Sequence, residues 1–165
     1  MNRFDFEAKR VTRSYCQRIN ASPEIVFPLI CPVKEKEWLD GWDYTMVYSE
    51  SGYAEEGCVF LSHQEGEEDT IWLITKRDIE KREIVFARIT PDSRASKLTI
   101  SVEGRDHDPS SRVHVTYTFT ALSEEGNQFI DAFTEERFND MMAFWEKSMN
   151  YYLETGKKLK RPSAI

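Results

Sequence analysis

The sequence predicts an α+β fold. A curved antiparallel sheet of seven strands wraps around one long C-terminal helix, in the order β-α-α-β6-α. Three observations predict it. Between Thr45 and Ala121, short runs of strand formers recur, split roughly every 8–14 residues by polar turn residues, which is the pattern of an antiparallel meander. Between an earlier strand-like run, Val11 to Ile19, and these lies a segment whose prolines permit only brief helices. From Thr134 onward, apolar residues recur at spacings of three and four, the period of an amphipathic helix.

The elements follow in order. Residues 1–9 form a charged lead-in, and Val11 to Ile19 is rich in strand formers. In NASPEIVFPLICP, Ser22 suits an N-cap and Pro23 the first helical position, where a missing N–H costs nothing. Ile25, Val26 and Leu29 give this helix an apolar stripe. Pro28 and Pro32 keep it short, since each lacks a donor and clashes with the preceding turn. A second short helix is expected over 33–39, ended by Asp40-Gly41.

Next come the strands TMVYSES, CVFLSH, TIWLITKR, EIVFARIT, ASKLTISVEG and SRVHVTYTFTA. Alternation puts Val113, Val115, Tyr117 and Phe119 on one face of the last strand, with His114, Thr116 and Thr118 on the other. After a short turn at Ser123 to Phe129, Thr134 caps a helix with Glu135 and Glu136 in its first turn. Phe138, Met141, Met142, Trp145, Met149, Tyr152 and Leu153 form its apolar face, and Gly156 suits its C-terminal stop. At 1.5 Å per residue this helix is about 33 Å long. Such a helix covers the apolar face of a curved sheet and leaves a gap that side chains need not fill.

Composition limits the function. The 165 residues suit a single domain, with a core at about 10–158 between the lead-in and a basic tail. A net charge of −7 argues against a nucleic-acid binder. The cations of GKKLKR (Gly156 to Arg161) are read as complements to the preceding helix dipole. No apolar run is long enough for a membrane span, and MNRFDFEAKR has no signal-peptide core. Cys16, Cys31 and Cys58 are odd in number and widely spaced, which suits free thiols and a cytoplasmic location.

Two stretches, INASPEIVFPLI after the first strand and YTFTALSEEGNQFIDAFTEERFNDMMAFWEKSMNYYLETG at the end, resemble the START-like (SRPBCC) superfamily. This is the helix-grip fold of birch-pollen-type allergens, lipid-transfer START domains and polyketide cyclases. CPVKEKEWLDGW resembles a bacterial subgroup placed by fold rather than by activity. The resemblance implies an apolar or amphipathic ligand held between sheet and helix. It leaves carriers, cyclases, hydrolases and receptors all open.

The residues themselves give several candidates. His63, His107 and His114 lack ligand spacing, so neither a metal nor another cofactor is expected. Cys31 stands before Pro32, either as a thiolate favoured by a helix N-terminus or as a buried inert thiol. Glu35 and Glu37 point to different sides of the second helix. Cys31, Trp38 and Leu39 fall on the side of Glu35. Among apolar rings its pKa would rise and fit it for general acid–base work; the alternative is a surface or capping role. Arg88 shares a face with Ile84 and Phe86. Either it points inward to hold a ligand carboxylate or enolate, or it snorkels at the sheet rim.

Trp38 and Trp42 are expected to form an apolar collar at one end of the cavity, or simply to complete the core. Tyr48, Phe60, Trp72, Phe86 and Tyr117 from the strands complete the lining, with Met141, Trp145 and Met149 from the helix. The function expected is a carrier or sensor for a hydrophobic or amphipathic small molecule. One alternative is a cofactor-independent cyclase or hydrolase using Glu35 and Arg88. Another is a co-chaperone-like interaction module, and pairing into a homodimer is a further open expectation.

Overall fold

The computed structural model describes residues 5–163; the outermost residues of the expected lead-in and tail lie outside them. The first strand, β1 (Arg10–Ile19), leads into α1 (Pro23–Val26), a 3-10 turn at Phe27–Leu29, and α2 (Pro32–Trp38). Pro23 and Pro32 each stand in the first turn of their helix, and Ser22 and Cys31 take the N-cap positions with extended backbone. Six strands follow: β2 (Thr45–Tyr48), β3 (Val59–Ser62), β4 (Thr70–Asp78), β5 (Glu83–Thr90), β6 (Arg94–Glu103) and β7 (Ser111–Ala121). The chain ends in α3 (Glu124–Ala132) and α4 (Glu135–Thr155).

The seven strands form one antiparallel sheet in the order β1-β7-β6-β5-β4-β3-β2. Register shifts in β2 and β4 interrupt regular pairing where the short edge strands begin. The inner face carries Val113, Val115, Tyr117 and Phe119 of β7, as the alternation predicts, with Leu98, Ile100 and Val102 of β6. Against this face α4 buries Phe138, Met142 and Met149.

The caps of α4 are those read from sequence. The Thr134 hydroxyl accepts from Arg137 N–H at 3.2 Å. Gly156, at φ +69°, closes the helix by donating to the Tyr152 carbonyl at 2.7 Å.

Helix α4 also protects the open edge of β1. Glu146 accepts from Arg18 N–H, and the Asn150 amide accepts from Asn20 N–H while donating to the Arg18 carbonyl. Side chains thus take edge groups that would otherwise invite another strand. Within the interface, Gln17 donates to the Met142 carbonyl at 3.0 Å.

One expectation needs correction. Ser123 to Phe129 is not a short turn but the start of a nine-residue helix. Gly126 in its first turn weakens the sequence signal. The structure needs that glycine, because a Cβ there would lie 1.9 Å from the Ser93 carbonyl oxygen. Ser123 caps the helix through Gly126 N–H, and Asn127 fastens it to the Glu7 carbonyl and Lys9 N–H.

The basic tail also makes contacts of its own. It turns back at Gly156, so that Leu159 bridges to Leu39. Asp40 accepts from Arg161 N–H and from the Lys160 ammonium, and the Arg161 guanidinium lies over Phe144.

Candidate functional site

Strand register builds the site. Phe119, Ser96, Arg88, Trp72 and Phe60 face one another in a row across five strands, all on the inner face. Arg88 therefore points inward, and of its two sequence placements the rim is not the one adopted. Ser96, directly opposite on β6, is small and leaves room for a long side chain. The guanidinium carbon lies over the Trp72 ring at 4.0 Å and over the Tyr117 ring at 5.4 Å. Arg88 thus joins two aromatic clusters. One is Trp42, Tyr44, Phe60, Trp72 and Phe86; the other is Tyr117, Phe119, Phe129, Phe133 and Phe138.

Helix α2 adds the third group. Its two carboxylates part as expected. Glu37 is at the surface with Lys34 and Tyr152, while Glu35 is 8% exposed. Burial pushes the Glu35 carboxyl up to about 8, against an opposing pull from the charge of Arg88. Burial lowers the pKa of Arg88, partly offset by Tyr117, and raises that of the Tyr117 hydroxyl. A guanidinium stays charged under such a shift.

The three groups interact through space, yet none hydrogen-bonds or ion-pairs with another described residue. Arg88 Nε is sealed without a partner. The Glu35 carboxylate, the Tyr117 hydroxyl and the terminal Arg88 nitrogens are not sealed in that way. They border accessible space, although protein surrounds them.

Arg94, on the next strand, shows the satisfied form of a buried guanidinium. It is 4% exposed, lies over Phe129 at 3.4 Å, and holds both oxygens of Glu67 at 3.0 Å. Neither Arg94 nor Glu67 stood out in the sequence, since Glu67 lies in the polar loop QEGEED.

The other expected residues divide. Trp38 is 1% exposed, donates to the Leu29 carbonyl and meets Trp145 edge-on at 6.2 Å. Trp42 is half-buried, donates to the Pro32 carbonyl and meets Trp72 edge-on at 5.6 Å. Trp72 spends its N–H on Ser62, so it offers a ligand its ring only. Phe60, Phe86 and Met149 are buried, and Met141 and Trp145 are half-buried. Tyr48 is 62% exposed beyond the register shift of β2 and stands apart from this group. Trp42, Phe60, Trp72 and Phe86 pack on one another, and the Arg88 guanidinium lies against that cluster through Trp72.

Cys31 is buried and its sulfur accepts from Ala54 N–H at 3.3 Å, which ties α2 to the loop before β3. Each histidine pairs with one carboxylate: His63 with Asp69, His107 with Glu24, His114 with Glu103. The outer sheet face is polar on β7 but carries exposed Ile71, Leu73 and Ile89 further along. Two surface depressions lie away from the site. One of about 290 Å³ is lined by Arg18, Glu103 and Arg112; another, of about 1020 Å³, lies between residues 7–13 and the α3–α4 corner.

A seven-stranded antiparallel sheet gripping a C-terminal helix is the helix-grip fold. Solved structures share it. Norcoclaurine synthase from Thalictrum flavum, as a point mutant with a transition-state analogue, matches with a TM-score of 0.65 and 14% identity over 93% of this chain and 100% of that one. The di-domain ARO/CYC protein BexL from the BE-7585A biosynthetic pathway matches with a TM-score of 0.65 and 14% identity, over 87% of this chain and 47% of its own. Ara h 8.0201 matches with a TM-score of 0.59 and 13% identity, over 89% and 99%. No family model matches the sequence, and no curated protein matches it either. No helix among the described residues is long and apolar enough to cross a membrane.

Proposed function

We propose that this protein binds a small amphipathic molecule, as a carrier or sensor, with the ligand's polar end at Glu35, Arg88 and Tyr117. One observation carries the reading. Three ionisable side chains from α2, β5 and β7 converge inside the molecule without a partner in the described chain. Burying such groups unpaired costs stability, so their retention points to use. The surrounding rings of Trp42, Trp72, Phe86 and Phe138 suit the ligand's apolar part. Among the structures that share the fold, one of norcoclaurine synthase holds dopamine and hydroxybenzaldehyde, which supports a small-molecule reading. The free cysteines, Cys16 among them at the surface, support a reducing, cytoplasmic setting.

A second reading is supported by Glu35 itself. A carboxyl with a pKa near 8 holds its proton at neutral pH and suits a general acid, with Arg88 and Tyr117 beside it to stabilise an oxyanion. The test common to both is native mass spectrometry of protein purified from its own host. A retained small molecule, lost in Arg88→Gln, is the expected result. A bare chain whose tryptophan fluorescence ignores a panel of apolar probes would count against binding.

A further inference from the structure

We infer that the ligand of this site carries a single carboxylate head, seated on the Arg88 guanidinium, on an otherwise apolar body. The inference rests on the binding reading above and names its ligand class.

Two arginines lie on the inner face, Arg94 buried and Arg88 half-buried. Arg94 has an aromatic face beneath it and a carboxylate across both its terminal nitrogens. Arg88 has the aromatic faces of Trp72 and Tyr117 but no carboxylate of the described chain. With its faces covered by rings, a guanidinium can bond only through its planar edge, and that fork matches a carboxylate. The free groups beside it are donors. The Tyr117 hydroxyl offers an O–H, and Glu35 offers another while it stays protonated.

The charge count agrees. With Glu35 and Tyr117 neutral the site holds one positive charge, from Arg88. The further charges acting on Arg88 are those of Arg94 and Glu67, which neutralise each other as a pair. A monoanion balances this set. An alcohol leaves the half-buried cation without a counter-charge, and an ammonium head is repelled by it.

The test is calorimetric titration of the protein with hexanoate, octanoate, decanoate and hydrocinnamate, and with the alcohol and the amine of each skeleton. At neutral pH the acids are expected to bind at least about tenfold more tightly than the alcohols, with the amines weakest. Arg88→Gln should bring the acids down to the level of the alcohols. Arg88→Lys, which keeps the charge and loses the fork, should retain part of the preference. A pH arm on the wild type needs no variant to fold. Acid affinity should fall as the pH passes about 8, when Glu35 ionises, repels the head and competes for Arg88, while alcohol affinity stays level.

Alcohols that bind as well as acids, or amines that bind best, overturn the inference and leave the binding reading in place. Failure of every compound to bind, at every length, overturns both.

Discussion

The Arg88 guanidinium lies 4.0 Å from the centre of the Trp72 ring, and the Trp72 indole is held in turn by its N–H bond to Ser62 at 2.8 Å. Trp42 abuts the same ring edge-on at 5.6 Å. The platform under the cation is therefore fixed by β3 and by the turn after α2, not by Arg88. A substitution at Arg88 removes a charge from a scaffold that persists without it.

That separation gives opposite signs for two arginines. Arg88→Met should stabilise the ligand-free protein modestly, by about 1 kcal/mol, because it replaces a half-buried charge that has no carboxylate partner with an apolar chain of similar reach. Arg94→Met should destabilise it by about 2 kcal/mol, because Glu67 loses its bidentate partner and Phe129 its cover. Urea unfolding at neutral pH measures both. Destabilisation of equal size in the two would mean that Arg88 has an internal partner after all.

Glu35 makes stability depend on pH. Its folded pKa of about 8 lies above the ordinary 4.5, so the native state keeps a proton that the unfolded chain releases. Between those values the native state binds more protons, and stability must fall as the pH rises. The contribution is complete below about pH 4.5 and lost by the time pH passes about 8. At about 1.4 kcal/mol per pH unit, the loss is on the order of 4–5 kcal/mol. Glu35→Gln should flatten this slope and leave the variant more stable than the parent near pH 8. An unchanged slope would mean that Glu35 is already ionised in the native state.

The sequence made the sheet and the long helix legible because both repeat. Period-two runs such as VHVTYTF, and the three-and-four spacing from Phe138 to Leu153, leave little choice of element. Proline and glycine marked the helix ends for the same reason. The site was only half legible. Glu35 stood out beside Cys31 and Trp38 at helical spacing, and Arg88 as a cation within an apolar strand. That the two would come within electrostatic reach of each other depends on sheet order, which no local pattern carries. Helix α3 was missed because docking on Ser93 and Glu7, rather than propensity, holds it. The Arg94–Glu67 pair joins a strand to a loop across 27 positions and left no local trace.

Thiol reactivity checks the burial pattern directly. Cys16 is exposed on β1, while Cys31 and Cys58 are buried, and burial pushes the Cys58 thiol up. A thiol reagent at mildly alkaline pH should modify Cys16 quickly in the native protein, with the other two reacting only on unfolding. Fast modification of Cys31 would revive its reading as a thiolate at the N-terminus of α2, and would require its bond with Ala54 N–H to open.

The two indoles of the collar should separate stability from binding. Trp38 is 1% exposed, bonds to the Leu29 carbonyl and stands edge-on to Trp145, so it fixes α2 to α4. Trp38→Ala should cost about 3–5 kcal/mol, the range for a large buried ring. Trp42 is half-buried and touches the ring on which Arg88 rests. Trp42→Ala should cost less, about 1–2 kcal/mol, since part of its surface is already in water. Loss of Trp42 frees one edge of the Trp72 ring. Ligand affinity should therefore drop in Trp42→Ala by more than its stability loss predicts. Equal affinity in the parent and in Trp42→Ala would make this ring part of the core alone and move the ligand's apolar end toward Tyr117 and Phe138.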